Sequence, residues 1–342
     1  MRMPLLLMVS GIALLLLGGI PAVFEFMEMQ GFPIDPTSNI FPAHWFIMIY
    51  GFFGSLIGNE VLVALSAEWS GKIASNGLIG FYLVLLVLGV TSFFYNQELG
   101  LVFVLIAMAI LLYYSRVYLE RSRLGLEPTV YNWLLFYSLI ATIFVLSTQI
   151  GLGYTIPYLN LLFPTSMVFA VMTRDVSLVT RVRVSGWENV LAFIFLVLGV
   201  GFEQGALMLL AWALSFHASG LYKAKGRKYP IIHLVTAWIY FLLGSVFISN
   251  YDVFIHSIAV GFLFNTVFGV DVVLMDLFIN AFQKRVSVRP SYIPFFLLNT
   301  GLVMRLLYDF GVSSPVFLLS APLQGIGILS FFLLTLRQVM FK

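Results

Sequence analysis

The sequence predicts an all-α membrane protein, a polytopic helical bundle of about twelve transmembrane helices with both termini in the cytoplasm. Of its 342 residues, 61% are hydrophobic and only 10% are charged, and the mean hydropathy is +1.02. Soluble domains carry about a quarter charged residues. The apolar residues also form runs of about 20, the length that crosses a bilayer core. We therefore expect residues 1–342 to form a single integral membrane domain.

Twelve apolar segments along the chain satisfy this length. The first could pass for a signal peptide, but it lacks a small-residue cleavage site and runs into further spans, so it is predicted to be a retained helix. The seventh and eighth segments, and the eleventh and twelfth, are joined by very tight turns. The segments are 4–25, 41–66, 74–95, 98–118, 130–150, 154–173, 186–202, 203–223, 230–248, 253–280, 290–311 and 313–338.

The distribution of charge supports this count, because Lys and Arg accumulate in cytoplasmic loops. With both termini inside, every one of the 18 Lys and Arg residues except Arg305 falls in an inner segment. If the number of spans were wrong, the basic residues would be spread over the loops on both sides of the membrane. The outer loops instead hold Glu25, Glu28, Asp35, Glu98, Glu203, Asp252 and Asp309.

Composition also excludes several chemistries. The net charge of +3 does not indicate a nucleic-acid partner, because the basic residues are accounted for by their place in the cytoplasmic segments. The chain has no cysteine, so it forms no disulfide, thiolate metal site or Cys-ligated iron–sulfur cluster. A multi-pass protein of the cell (plasma) membrane is the predicted class, with the lipid bilayer as its first partner.

The four histidines all lie inside or at the edge of apolar runs, where ionisable side chains are costly and usually functional. The rise of about 1.5 Å per helical residue gives their depths. His44 and His256 lie near the outer ends of inward-running spans. His217 and His233 lie near the inner surface. The sequence thus predicts an outer pair and an inner pair.

Two histidines at one depth on different helices suit a haem with one axial imidazole on each face. Two such pairs would place two haems across the bilayer. Arg305, about 22 Å from the inner start of its helix, is a candidate partner for an outer haem propionate. The alternative is that each His is an ordinary interfacial or interhelical polar residue.

Three acidic residues lie towards the inner half of two spans: Glu60, Asp271 and Asp276. The functional interpretation is a proton path from the cytoplasm, with Asp271 the deepest member. The alternative is that Glu60 and Asp276 reach the inner interface or pair with loop arginines.

Three segments, in chain order, resemble the NnrS family of haem- and copper-containing membrane proteins. The resemblance spans most of the chain and implies haem binding at His44, His217, His233 and His256. It also implies an association with nitric oxide. The segments are Ala43-His44 with Gly51, Gly58 and Glu68-Trp69-Ser70-Gly71-Lys72; His217 with Pro230-Ile231-Ile232-His233-Leu234 and Ala237-Trp238; and His256-Ser257-Ile258-Ala259-Val260-Gly261 with Thr266 and Gly269.

The chain departs from that family where copper ligands are expected. Pro42, Trp45 and Phe278 stand at positions where the family has further His residues or an acid. Three histidines cannot then be assembled at one depth for copper. The resemblance therefore implies one or two b-type haems and argues against copper.

These observations predict an integral membrane haem b protein. Its expected work is transmembrane electron transfer linked to quinol and other respiratory subunits, as an oxidoreductase or a subunit of one, or else nitric oxide binding. Two bis-imidazole sites would leave no open iron position and favour electron transfer. The alternatives are a secondary transporter of twelve helices and a cofactor-free structural subunit of a membrane complex.

Overall fold

Backbone polar groups cannot bond to lipid, so apolar segments satisfy their own N–H and C=O groups as helices. The computed structural model describes residues 2–32, 37, 39–182, 185–272 and 289–340, and these residues contain helices and no strands. The predicted proton-path residue Asp276 and the inner-loop cations Arg183, Lys284 and Arg285 lie outside the described residues, as does Phe278.

Each predicted segment overlaps a helix in the described residues. We number these helices in chain order: α1 Arg2–Met29, α2 Phe41–Ser70, α3 Asn76–Phe93, α4 Gln97–Ser115, α5 Val130–Leu152, α6 Leu162–Thr180, α7 Gly186–Gly201, α8 Gly205–Ser219, α9 Lys228–Val246, α10 Tyr251–Val272, α11 Ile293–Asp309 and α12 Ser320–Met340.

Within the described residues, nine helices are long and apolar enough to cross a bilayer: α1–α5, α8–α10 and α12. The prediction of a helical, multi-pass membrane protein is thereby confirmed at this level. Of the other three, α7 has 16 residues and α11 has 17. Helix α6 carries an ion pair within its length, between Arg174 Nε and Asp175 Oδ1 at 2.8 Å.

The sixth segment differs most from its predicted bounds of 154–173. Pro157 begins a separate short helix, Pro157–Asn160, and α6 then starts at Leu162. Proline favours a helix start because its ring fixes φ and its missing N–H is not needed there. At the other end α6 continues to Thr180, because Arg174 and Asp175 neutralise each other and no helix-breaking residue intervenes.

The chain divides into two compact units. One comprises the described residues of 1–25 and 35–170, and the other those of 26–34 and 171–342. Among the nine helices long and apolar enough to cross a bilayer, α2 in the first unit and α10 in the second are the most buried, with 78% of an 18-residue stretch of each buried. That these units act as one membrane domain stays a prediction.

Both buried spans are distorted. Helix α2 contains π-helical turns at Ile47–Phe52 and Glu60–Ala64, and α10 contains one at His256–Phe264. Such turns are rare and are frequent at functional sites. Glycines let neighbours approach closely: a Cβ at Gly58 would lie 2.3 Å from the ring of Tyr82.

Candidate functional site

The most enclosed histidine is His233 on α9, whose exposed fraction is 0%. Its Nδ1 lies 2.9 Å from Asn265 Oδ1 on α10. Its Nε2 is buried and has no hydrogen-bond partner among the residues that the structure describes. Rings surround it, with centroids at 4.6 Å for Tyr229, 4.8 Å for Phe295 and 5.9 Å for Phe268. The imidazole of His233 therefore has one ring nitrogen in a hydrogen bond, and the other has no partner among the described residues.

Glycine brings α10 close to this ring. A Cβ at Gly269 would lie 3.1 Å from both His233 Cβ and the Pro230 carbonyl oxygen. About two turns away on α10, a Cβ at Gly261 would lie 2.4 Å from Tyr240 Cγ. The α9–α10 contact therefore depends on these two small residues, and it holds the imidazole of His233 in place.

A second polar cluster joins α10 and α11 around Asp309. His256 Nδ1 lies 2.7 Å from the Asp252 carbonyl oxygen and 3.2 Å from Asp309 Oδ2. Arg305 Nε lies 3.0 Å from Asp309 Oδ1. The carboxylate of Asp309 is 2% exposed and the guanidinium side chain 12%. Two of the predicted site residues, His256 and Arg305, therefore lie close together, because the Asp309 carboxylate contacts both side chains.

Arg305 is further held by aromatic faces. Its guanidinium carbon lies 4.3 Å from the ring centroid of Phe26 and 5.8 Å from that of Tyr308. Cation–π contact of this kind stabilises a partly desolvated guanidinium. An interaction of Arg305 with a haem propionate stays a prediction, and here its Nε is directed to Asp309.

The other two histidines lie in less enclosed places. His44, in the first unit, has Nδ1 2.8 Å from the Gly18 carbonyl oxygen of α1, and its ring stacks on Phe41. His217 is 67% exposed, and its Nδ1 lies 2.7 Å from Glu188 Oε2 on α7.

The predicted pairs therefore have different settings. His44 and His256 belong to different compact units. His217 and His233 lie on consecutive helices of one unit, each with its own partners. No observation on the described residues decides whether either pair shares a haem, so both pairs stay predictions.

The four histidines nevertheless share one feature. In every case Nδ1 faces an oxygen acceptor: a backbone carbonyl at His44 and His256, a carboxylate at His217 and again at His256, and a side-chain amide at His233. A carbonyl or carboxylate oxygen can only accept, so Nδ1 carries the proton in each ring.

The two described residues of the predicted proton path lie in the π-distorted helices. Glu60 is half-buried and begins a π-helical turn of α2. Asp271 is half-buried near the end of the described part of α10, and Asp175 of α6 interacts with it electrostatically. Asp175 is fully buried and pairs with Arg174. Whether these acids carry protons stays a prediction.

The sequence alone did not point to the buried asparagine and glutamine side chains. Asn265 and Asn299 bond to each other between α10 and α11, and Asn160 joins Tyr50 to Gln149 in the first unit. These side chains are uncharged, so a search for ionisable residues passes over them. Lone asparagines inside apolar helices were the signal that could have found them, because buried amides need partners.

Within the part of the chain that the structure describes, no three His, Cys, Asp or Glu side chains converge as a metal site. Haem ligation needs only one or two imidazoles. No family model, curated protein or solved structure matches this chain. The resemblance to the NnrS family stays a prediction from the sequence.

Proposed function

We propose that this chain is an integral membrane haem b protein that transfers electrons across the bilayer. The observation that carries the proposal is the shared orientation of the histidines, in which Nδ1 is bonded to an oxygen acceptor. Histidines that bind metals almost always donate their other ring N–H to a carbonyl or carboxylate, which fixes the tautomer and strengthens the ligand. His233 fits an axial role best, since its buried Nε2 lacks a hydrogen-bond partner in the described part of the chain.

The surroundings of His233 suit a flat apolar group. The imidazole is enclosed by aromatic rings, and haem is bound through packing as well as through its axial ligand. His233 would hold the group through Nε2, and Tyr229, Phe268 and Phe295 would supply the apolar contacts around it. Bound iron would supply a one-electron ferric–ferrous couple.

We propose the following arrangement around that site. The chain spans the plasma membrane twelve times with both termini cytoplasmic, which the sorting of Lys and Arg supports. His44 and His256 are the proposed haem ligands near the outer surface, and His217 and His233 are those near the inner surface. Quinol and a respiratory oxidoreductase exchange electrons with these haems. If only one imidazole binds an iron, its open position suits nitric oxide, in keeping with the NnrS resemblance.

An optical spectrum tests the proposal. Protein made with adequate haem supply and purified in detergent should show a Soret band, with split α and β bands after dithionite reduction. Absence of any haem signal would overturn the proposal.

Single substitutions then locate the haems. His233→Ala or His217→Ala should remove one haem, and His44→Ala or His256→Ala the other. Loss of all haem from any single change indicates one shared site. The matched control is Tyr82→Phe, a buried change that removes one hydrogen bond, to the Gly54 carbonyl, away from every histidine.

The topology can be tested separately, because the chain has no cysteine of its own. Tyr95 and Leu124 are 92% and 81% exposed and flank α4 on either side. In cells, a membrane-impermeant maleimide should label Tyr95→Cys and leave Leu124→Cys unlabelled until the membrane is opened. The reverse pattern would invert the proposed orientation.

A second candidate function is secondary transport. It is favoured by the division of the described residues into two compact helical units, each of which contains a largely buried apolar helix with a π-helical distortion. Transporters are commonly built from two halves with irregular helices at the substrate site. A haem-free protein that catalyses substrate flux in vesicles would support this candidate over the first.

A further inference from the structure

The orientation of the Asn265 amide is fixed by its own helix. Asn265 Nδ2 lies 2.8 Å from the Gly261 carbonyl oxygen, which can only accept a hydrogen bond. The amide nitrogen must therefore point to Gly261, and Oδ1 must point to His233 Nδ1, 2.9 Å away. Rotating the amide by 180° would set two acceptors against each other at Gly261. The contact with His233 consequently requires a proton on Nδ1.

Asn299 on α11 holds this orientation from the other side. Asn265 Nδ2 donates to Asn299 Oδ1 at 3.0 Å, and Asn299 Nδ2 donates to Asn265 Oδ1 at 3.2 Å. Asn299 Nδ2 also donates to the Phe295 carbonyl oxygen at 2.8 Å, which fixes its own orientation. The two amides thus exchange donors and acceptors, and neither can turn without losing bonds to the other.

With Nδ1 protonated, the state of Nε2 follows. A proton on Nε2 as well would create a buried, charged donor with no acceptor among the described atoms. Leaving such a group unpaired is costly. The ring therefore presents a bare electron pair at Nε2, inside an aromatic enclosure that excludes water.

We infer that Asn265, braced by Asn299, is a positioning residue that holds His233 in the Nδ1–H tautomer, so that Nε2 is a permanent electron-pair donor for a buried metal centre. For haem as the bound group, this inference rests on the proposed function. The assignment of the tautomer itself does not depend on the proposed function. The chemical class of ligand is an electron-pair acceptor such as haem iron, because Nε2 offers no hydrogen to an anion or carbonyl.

Nuclear magnetic resonance of the full chain with ¹⁵N-labelled imidazole rings tests the tautomer. The protein is kept in detergent and reduced with dithionite, and the His233 signals are identified by their loss in His233→Gln. We expect a protonated Nδ1 and an unprotonated Nε2. Haem iron on Nε2 would impose the same tautomer, so the variants are compared after the haem has been extracted. Asn265→Leu should then release this preference, whereas Asn265→Asp should keep it because the carboxylate still accepts. Asn189→Leu, at a fully buried asparagine on α7, is the matched control and should change nothing.

Haem binding provides the second readout. Asn265→Leu should weaken haem affinity about 10–100-fold, the usual effect of removing a partner of a metal ligand. Asn265→Asp should retain the haem and lower its midpoint potential, and a tenfold change in the ferric-to-ferrous preference corresponds to about 59 mV.

The outcomes separate the two proposals. An Nε2–H tautomer in the unmodified protein overturns the inference, whatever haem is present. A protein without haem, but with the Nδ1–H tautomer, overturns the proposed function and leaves the tautomer assignment standing. Equal haem affinity and potential in Asn265→Leu, Asn265→Asp and the unmodified protein would show that Asn265 does not position the ligand.

Discussion

Removal of the Asp309 carboxylate should destabilise the second unit through the charges it leaves behind. In Asp309→Leu, Arg305 loses its ion pair while its side chain stays 12% exposed, and His256 keeps only the Asp252 carbonyl oxygen. Breaking a buried pair by removing one partner costs about 3–5 kcal/mol. The rings of Phe26 and Tyr308 continue to contact the guanidinium, which offsets about 0.5–1 kcal/mol. We therefore expect a loss near the lower bound, about 3 kcal/mol.

The double variant Arg305→Leu with Asp309→Leu isolates the pair. Replacing both partners of a buried ion pair with apolar residues is often neutral, so the double variant should cost about 1 kcal/mol or less. The loss in free energy of unfolding in the double variant should then be smaller than the sum of the losses in the two single variants by more than about 2 kcal/mol. Unfolding from dodecyl maltoside micelles by sodium dodecyl sulfate, followed by tryptophan fluorescence, measures each free energy of unfolding.

A matched control uses the other acid of this cluster. The Asp252 side chain is exposed, so Asp252→Leu should change the free energy of unfolding by no more than about 0.5 kcal/mol. A loss below about 1 kcal/mol for Asp309→Leu, or simple additivity in the double variant, would refute the assignment of Asp309 as the shared partner of Arg305 and His256.

Two further predictions use the same unfolding titration. Gly261→Ala should cost about 1–3 kcal/mol, because its Cβ would lie 2.4 Å from Tyr240 Cγ; Gly19→Ala, where nothing lies within 4 Å, should be neutral or gain up to about 1 kcal/mol. Equal effects at the two sites would contradict this account of the α9–α10 contact. Tyr50→Phe should cost about 1 kcal/mol by removing the 3.0 Å bond to Asn160 Oδ1, and an unchanged free energy would show that this bond contributes nothing.

The helical class of the fold and the positions of most helices follow from the amino-acid sequence alone. Uninterrupted apolar runs must form helices in lipid, because there the backbone has no other source of hydrogen bonds. The exception was the sixth segment, where Pro157 begins a separate short helix and α6 runs from Leu162 to Thr180, past the Arg174–Asp175 pair. Apolar content alone indicates a span there, but the bounds depend on which local hydrogen bonds proline removes.

Which polar groups contact each other follows only from the packing of the helices. The helices are apolar on most faces, so no polar stripe in the sequence marks the side that turns inward. Depth along the membrane follows from residue number, but lateral position does not. Only packing shows that His233 meets Asn265, 32 positions away, and that Asp309 connects Arg305 to His256. These contacts depend on helix rotation and on glycines such as Gly269 that permit close approach.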